Sequence, residues 1–159
     1  MAVKPIPEGY HSVTPYLIVK GAAAAIEYYQ QAFGAIELLR MPAPEGKIGH
    51  AEIKIGDSPI MLADEFAEMG YKSPETLGGS PVSIMIYVAD VDTVFKRAIT
   101  AGAKEQRPVK DQFYGDRMGT LEDPFGHVWH IATHTEDVPA EEMERRASTQ
   151  TAAATSGGE

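Results

Sequence analysis

The sequence predicts an α+β fold in which two tandem βαβββ modules form a cupped mixed sheet with the helices outside. Three observations predict it. The order strand, helix, then three short strands occurs twice in 159 residues. The two copies overlay with little drift: Val19 falls on Val88, "FGA" at 33–35 on "AGA" at 101–103, Gly49 on Gly115 and Asp57 on Asp123. A mixed unit of this length is no solenoid repeat, so the copies are expected to pair their sheets around a shared core.

The elements follow in order. Residues 1–10 read as an N-terminal extension and 11–70 as the first module. "SVTPYLIVKG" is a strand, and "AAAAIEYYQQAFG" a helix with Ile26, Tyr29 and Phe33 at helical spacing and Gly34 as its stop. "AIELLRM", "IGHAEIKIG" and "SPIMLAD" are three short strands divided by Pro42, Pro44, Gly56 and Asp57. A polar connector at 71–80 precedes the second module at 81–136. There "VSIMIYVAD" is a strand and "VDTVFKRAITAG" a helix capped by Asp90 and stopped by Gly102, followed by "AKEQRPV", "GDRMGTLED" and "GHVWHIAT" as strands. A helix is expected over 137–147, and a disordered tail over 148–159, where small polar residues bury too little surface to offset their ordering entropy.

Composition excludes several functions. With 43% hydrophobic residues the chain is long enough for a true core. It has no cysteine, which excludes disulfides, zinc-thiolate sites and thiol nucleophiles. The net charge of −9, with scattered Lys and Arg, argues against nucleic acid and anionic membrane as partners. No signal peptide or membrane-length apolar run is present, so a cytoplasmic location is expected.

"DPFGHVWH" at 123–130 crowds an aspartate, two histidines and a tryptophan together. Asp123-Pro124-Phe125-Gly126 has the residues of a type I turn, so it reads as a hairpin connection. Side chains alternate in the strand that follows, which sends His127 and His130 to opposite faces. Trp129 and Ile131 then lie under the helices, and His130 faces the cup. In "HAEIKI", Ala51, Ile53 and Ile55 make an apolar face, while His50, Glu52 and Lys54 share the other. That polar face is either an edge strand in water or the lining of a hydrated cavity.

"PYLIVKGAAAAIEYYQQAFGA", "GHAEIKIGDSPIMLADE", "YVADVDTVFKRAITAGA" and "DQFYGDRMGTLEDPFGHVWHIATH" together resemble the glyoxalase/bleomycin-resistance/dioxygenase superfamily, the vicinal oxygen chelate proteins, and its PhnB-like branch, over about residues 12–135. The resemblance implies paired βαβββ modules, a homodimer and a small-molecule site in the concave sheet. In metal-dependent members, it implies a metal held by first-strand and last-strand residues of each module as a Lewis acid. Those positions fall here on Thr14, Ser83, Leu62 (or Met61 if the hairpin slips by one) and His130. Of these only His130 binds a divalent metal well, so no cofactor is expected. A divalent metal held by His50, Glu52 and His130 is the alternative.

The candidate ligand-binding residues are Thr14, Tyr16, His50, Glu52, Lys54, Ser83, Tyr87, Arg117 and His130. Arg117 either grips an anionic ligand with its planar fork or belongs to a loop in which Asp116 pairs elsewhere. Glu52 is either a general base or the partner of Lys54. Tyr16 and Tyr87 are expected at matching cup-facing positions, as core or as stacking surfaces. His130 and Arg117 are expected in one site, bridged by an anionic or oxygen-rich ligand. The function expected is metal-free binding of a small molecule; an enzyme of the same superfamily (lyase, isomerase or dioxygenase) and a scaffold without ligand are the other readings.

Overall fold

A computed structural model describes residues 2–156, with the side chains of 155 and 156 left aside. Each module builds one four-stranded mixed sheet. The first comprises β1 (Tyr16–Val19), α1 (Ala22–Phe33), β2 (Ile36–Pro42), β3 (Ile48–Ile55) and β4 (Ser58–Asp64). A short helix, α2 (Pro74–Leu77), lies in the connector. The second comprises β5 (Ser83–Tyr87), α3 (Val91–Thr100), β6 (Lys104–Asp111), β7 (Asp116–Glu122) and β8 (Val128–His134), and α4 (Ala140–Ser156) follows. The sheet orders are β1-β4-β3-β2 and β5-β8-β7-β6, the first strand of each module running parallel to its last.

Each module's last strand caps its own helix. Gly21 brings no capping side chain to α1; instead the Asp64 carboxylate at the end of β4 accepts from the Gly21 and Ala22 amides at 2.9 Å. In the second module Thr133 of β8 occupies the same place, accepting from the Val91 amide at 2.9 Å, and Asp90 adds a local cap through the Thr93 amide. Helix ends leave amide donors unpaired, so these bonds fix where each helix sits on its sheet.

The alternation read from the sequence sets the faces. Ala51, Ile53 and Ile55 of β3 and Trp129 and Ile131 of β8 are buried under the helices. Helices α1 and α3 pack on each other, and Phe33 of α1 meets Trp129 of the second sheet at 4.8 Å between ring centroids. A Cβ on Gly119 would come within 2.7 Å of the Phe95 ring, so only glycine lets α3 approach β7 this closely. The opposite faces of both sheets stay open, with Tyr16, Leu39, Met41, Met85 and Tyr87 exposed. Among the described residues no helix is long and apolar enough to cross a membrane.

The C-terminal helix differs from expectation. Instead of ending at 147 it runs from Ala140 to Ser156, through most of the stretch expected to be disordered; residues 157–159 of that expectation lie outside the described residues. Alanine favours helix, and the Ser148, Thr149 and Thr151 hydroxyls donate to carbonyls four residues back instead of competing with the helix. Arg146 docks this helix through Glu136 and the Phe113 carbonyl.

Trp129 is fully buried, its indole N–H donating to Asp123 at 2.8 Å. Trp129→Ala should cost roughly 3–5 kcal/mol, as large aromatic truncations in cores do. Urea unfolding followed by circular dichroism measures it, and a variant as stable as the parent would show the face assignment to be wrong.

Candidate functional site

On the open face of the first sheet, period-two alternation carries His50, Glu52 and Lys54 outward from β3. They are half-buried there. Tyr16 Oη lies 2.8 Å from His50 Nδ1, His50 Nε2 lies 3.3 Å from Glu52 Oε1, and Tyr10 donates to Glu52 Oε2 at 2.6 Å. Four side chains from the N-terminal segment, β1 and β3 thus form one hydrogen-bonded line. The partners of Glu52 are His50 and Tyr10, so the expected pairing with Lys54 is not what the structure forms. The bond to Glu52, then burial, pushes the Tyr10 phenol up to about 12. Burial, with lesser effects of Tyr71 and Glu52, raises Tyr16. Both phenols therefore keep their protons at neutral pH.

Beside Tyr16 opens a cavity of about 560 Å3, between Ile18 and Ala63 on the sheet and Phe66, Met69 and Tyr71 in the segment after β4. That segment folds back on itself through paired backbone bonds between Phe66 and Tyr71.

The second sheet carries two other clusters. His130 faces outward, with Nδ1 2.9 Å from Thr120 Oγ1 and Nε2 3.0 Å from Ser83 Oγ. Nearer the end of the sheet, Tyr87 donates to the buried Asp116 at 2.9 Å, Asp116 meets His134 Nδ1 at 2.8 Å, and His134 Nε2 meets Asp137 at 2.8 Å. The bond to Asp116 raises the Tyr87 phenol.

Several expectations need correction. Arg117 does not share a site with His130: it pairs with Thr133 across β7 and β8, whereas His130 pairs with Thr120, so the two side chains leave opposite faces. Its guanidinium is held by Asp92 at 2.8 and 2.9 Å and by Asp111 at 3.3 Å, which raises its pKa and pins β7 to the start of α3. Tyr16 and Tyr87 both face outward but do not match: Tyr16 lies beside Met61 and Met85 beside His130, so the counterpart of Tyr16 is Met85 and that of Tyr87 is Ile18. Leu62 is buried under α1, which leaves Met61 as the outward residue of β4 at that position. Thr14 precedes β1 and is half-buried. Tyr10, Phe66, Met69, Tyr71 and His134 had no part in the expected site. Alternation on β8 puts His134 on the face of His130, but no periodicity points to the others.

Thr14, Ser83, Met61 and His130 supply one imidazole, two hydroxyls and a thioether, and both ring nitrogens of His130 already meet hydroxyls. These residues do not fit a divalent ion of the vicinal oxygen chelate kind. Among the described residues no three His, Asp or Glu side chains converge on a metal-sized point, so His50 and Glu52 are not joined there by His130.

A sequence model described as the Glyoxalase/Bleomycin resistance protein/Dioxygenase superfamily matches residues 9–131. The chain belongs to that superfamily. An uncharacterized Mycobacterium tuberculosis protein, Rv0887c, is 43% identical over 142 residues, covering 87% of this chain and 84% of the relative. Among solved structures, TioX from Micromonospora sp. ML1 superposes with a TM-score of 0.61 at 26% identity, covering 81% of this chain and all (100%) of TioX. A PhnB protein from Bacillus cereus shares the glyoxalase-like fold with a TM-score of 0.62 at 18% identity, covering 77% of this chain and 99% of that protein.

His134 gives the fold a pH dependence. Bonds to Asp137 first and Asp116 second raise its pKa above the ordinary 6.5. A folded-state value above the unfolded one means that the protonated ring stabilises the fold at pH below 6.5. That contribution is lost as the pH rises through the raised folded value. The melting temperature should therefore fall as the pH rises above 6.5, and His134→Gln should flatten that slope in a buffer series.

Proposed function

We propose that this superfamily member binds a small molecule with an apolar or aromatic body and an oxygen-bearing head on the open face of its first sheet, without the divalent metal of the metal-dependent members. The observation that carries the reading is the cavity of about 560 Å3 between Ile18 and Ala63 below and Phe66, Met69 and Tyr71 above, with Tyr16 and its hydrogen-bonded line at the rim. Ligand sites commonly combine an apolar wall with a few convergent polar groups, and this volume lies in the usual range. The head is placed at Tyr16, and Arg117 has no part in it.

A thermal-shift screen of phenols, small carboxylates, phosphonates and aromatic antibiotics tests the reading, because a ligand that binds only the folded state raises its stability by mass action. At least one compound should raise the melting temperature. Ala63→Phe, which fills the cavity from the sheet side, should abolish that shift. A shift that survives Ala63→Phe would place the site elsewhere.

The chain is also proposed to act as a homodimer that covers its open faces. In favour of this stand Leu39 and Met41 on the first sheet and Met85 and Tyr87 on the second, all exposed and more than 40% accessible. Large apolar side chains left exposed on both open faces favour an interaction there. Sedimentation at micromolar concentration should give a dimer, and Met85→Lys combined with Tyr87→Lys a monomer. A monomeric parent would overturn the pairing.

A further inference from the structure

We propose that Tyr16, His50, Glu52 and Tyr10 form a proton-accepting relay that meets the cavity at Tyr16, and that the ligand there carries a weakly acidic hydroxyl, a phenol or an enol, whose proton the relay takes up. The inference rests on the binding reading above and deepens it.

The direction of the relay follows from what each group can do. An ionised carboxylate only accepts hydrogen bonds. Glu52 accepts from Tyr10 with one oxygen at 2.6 Å and faces His50 Nε2 with the other at 3.3 Å, so the proton of a neutral His50 ring belongs on Nε2. That leaves the Nδ1 lone pair to accept from the Tyr16 hydroxyl at 2.8 Å. Tyr16 Oη, having given its proton inward, offers its remaining lone pair toward the cavity that it lines. A ligand hydroxyl donating to Tyr16 completes a line of three transferable protons. When the ligand proton moves to Tyr16 Oη, the Tyr16 proton moves to His50 Nδ1. The products are a ligand oxyanion accepting from a neutral Tyr16, and an imidazolium held between Tyr16 and Glu52, with charge and protons balanced.

The same arrangement selects the ligand. A molecule that is already a carboxylate or phosphonate dianion meets Glu52 at the far end of the line and a neutral His50 in between. A phenol or enol enters uncharged and becomes an anion only as the imidazolium forms, so the opposite charges appear together. Phe66, Tyr16 and Tyr71 line the cavity and supply aromatic surface for its unsaturated body. The other titratable groups near the line and its cavity include Tyr71, which acts on Tyr16, and Lys54, two residues beyond Glu52 on the same face. They also include Asp64, which lines the cavity and accepts from the Gly21, Ala22 and Ile48 amides, and Lys47, whose ammonium lies 5.2 Å from the Phe66 ring centre. Tyr10 is a positioning residue, brought from the N-terminal segment to hold Glu52.

Para-nitrophenol tests this, because only its phenolate absorbs visible light and its bound ionisation state is read directly. The full chain is titrated with the probe at a pH close to the probe's own pKa, where half of the free probe is phenolate and an ordinary imidazole is mostly neutral. The bound probe should be largely phenolate, its acid ionisation constant raised about tenfold or more. His50→Gln and Tyr16→Phe, shown by melting curves to be folded, should bind it as the neutral phenol. A bound probe that stays neutral in the parent, or a phenolate signal that both variants retain, overturns the relay while leaving the cavity as a binding site. Failure of the probe to bind overturns the ligand class, and the screen above then judges the cavity independently. In the free protein, nitrogen–proton correlation spectra should find the neutral His50 proton on Nε2. A proton on Nδ1 overturns the stated direction whatever the probe does.

Discussion

The arrangement of the two modules depends on one buried carboxylate. Asp123, at the turn between β7 and β8, accepts from the Phe125 amide at 2.9 Å, the His127 amide at 3.0 Å, the Trp129 indole at 2.8 Å and the Tyr29 hydroxyl at 2.6 Å. Burying an ion without partners would cost several kcal/mol, and here every lone pair has a donor. Two donors shape the turn, one fixes the rotamer of the largest core side chain, and one comes from α1 of the other module. A single group thus couples the β7–β8 hairpin to the inter-module contact. It raises the Tyr29 phenol, after burial itself, and that phenol remains a donor. His130 owes its outward direction to the same constraint, since Trp129 beside it is held inward.

Around that anchor the modules kept their geometry and changed their chemistry. Asp64 and Thr133 cap equivalent helices from equivalent ends of β4 and β8, one as a carboxylate and one as a hydroxyl. On the open faces, Tyr16, Met61 and Glu52 lie in one row across the first sheet, and Met85, His130 and Thr120 in the matching row of the second. Each position that is apolar in one module is polar in the other at the first and last strands. The imidazole, carboxylate and ammonium on the open face of the first sheet therefore sit on β3 and not at the strand positions from which metal-dependent relatives draw their ligands.

Much of this was legible in the sequence because strand periodicity is local. Alternation alone puts His50, Glu52 and Lys54 on one face and divides Trp129 from His130. The same rule applied within β7 would have placed Arg117 with Gly119 and Leu121, on the helix side; its position next to "YGD" drew it instead toward a binding role. The match of Tyr16 to Tyr87 failed for a related reason, because two aromatic residues look equivalent while the strand pairing offsets them by two. Tyr10 and the segment from Phe66 to Tyr71 carry no period at all. Their contacts span long loops, so only tertiary structure brings them to the sheet.

The two outward histidines show how a single partner decides what an imidazole can do. His130 lies between Ser83 and Thr120, two hydroxyls that each donate or accept, so neither ring nitrogen is assigned a role and either tautomer satisfies the same contacts. His50 lies between a hydroxyl and a carboxylate, and the carboxylate only accepts. That asymmetry orients the ring and gives the line from Tyr10 to Tyr16 a direction. Thr120 and Glu52 occupy the same place in their sheets, so the difference between a hydrogen-bonded surface group and a directed relay reduces to one side chain on the third strand of each module.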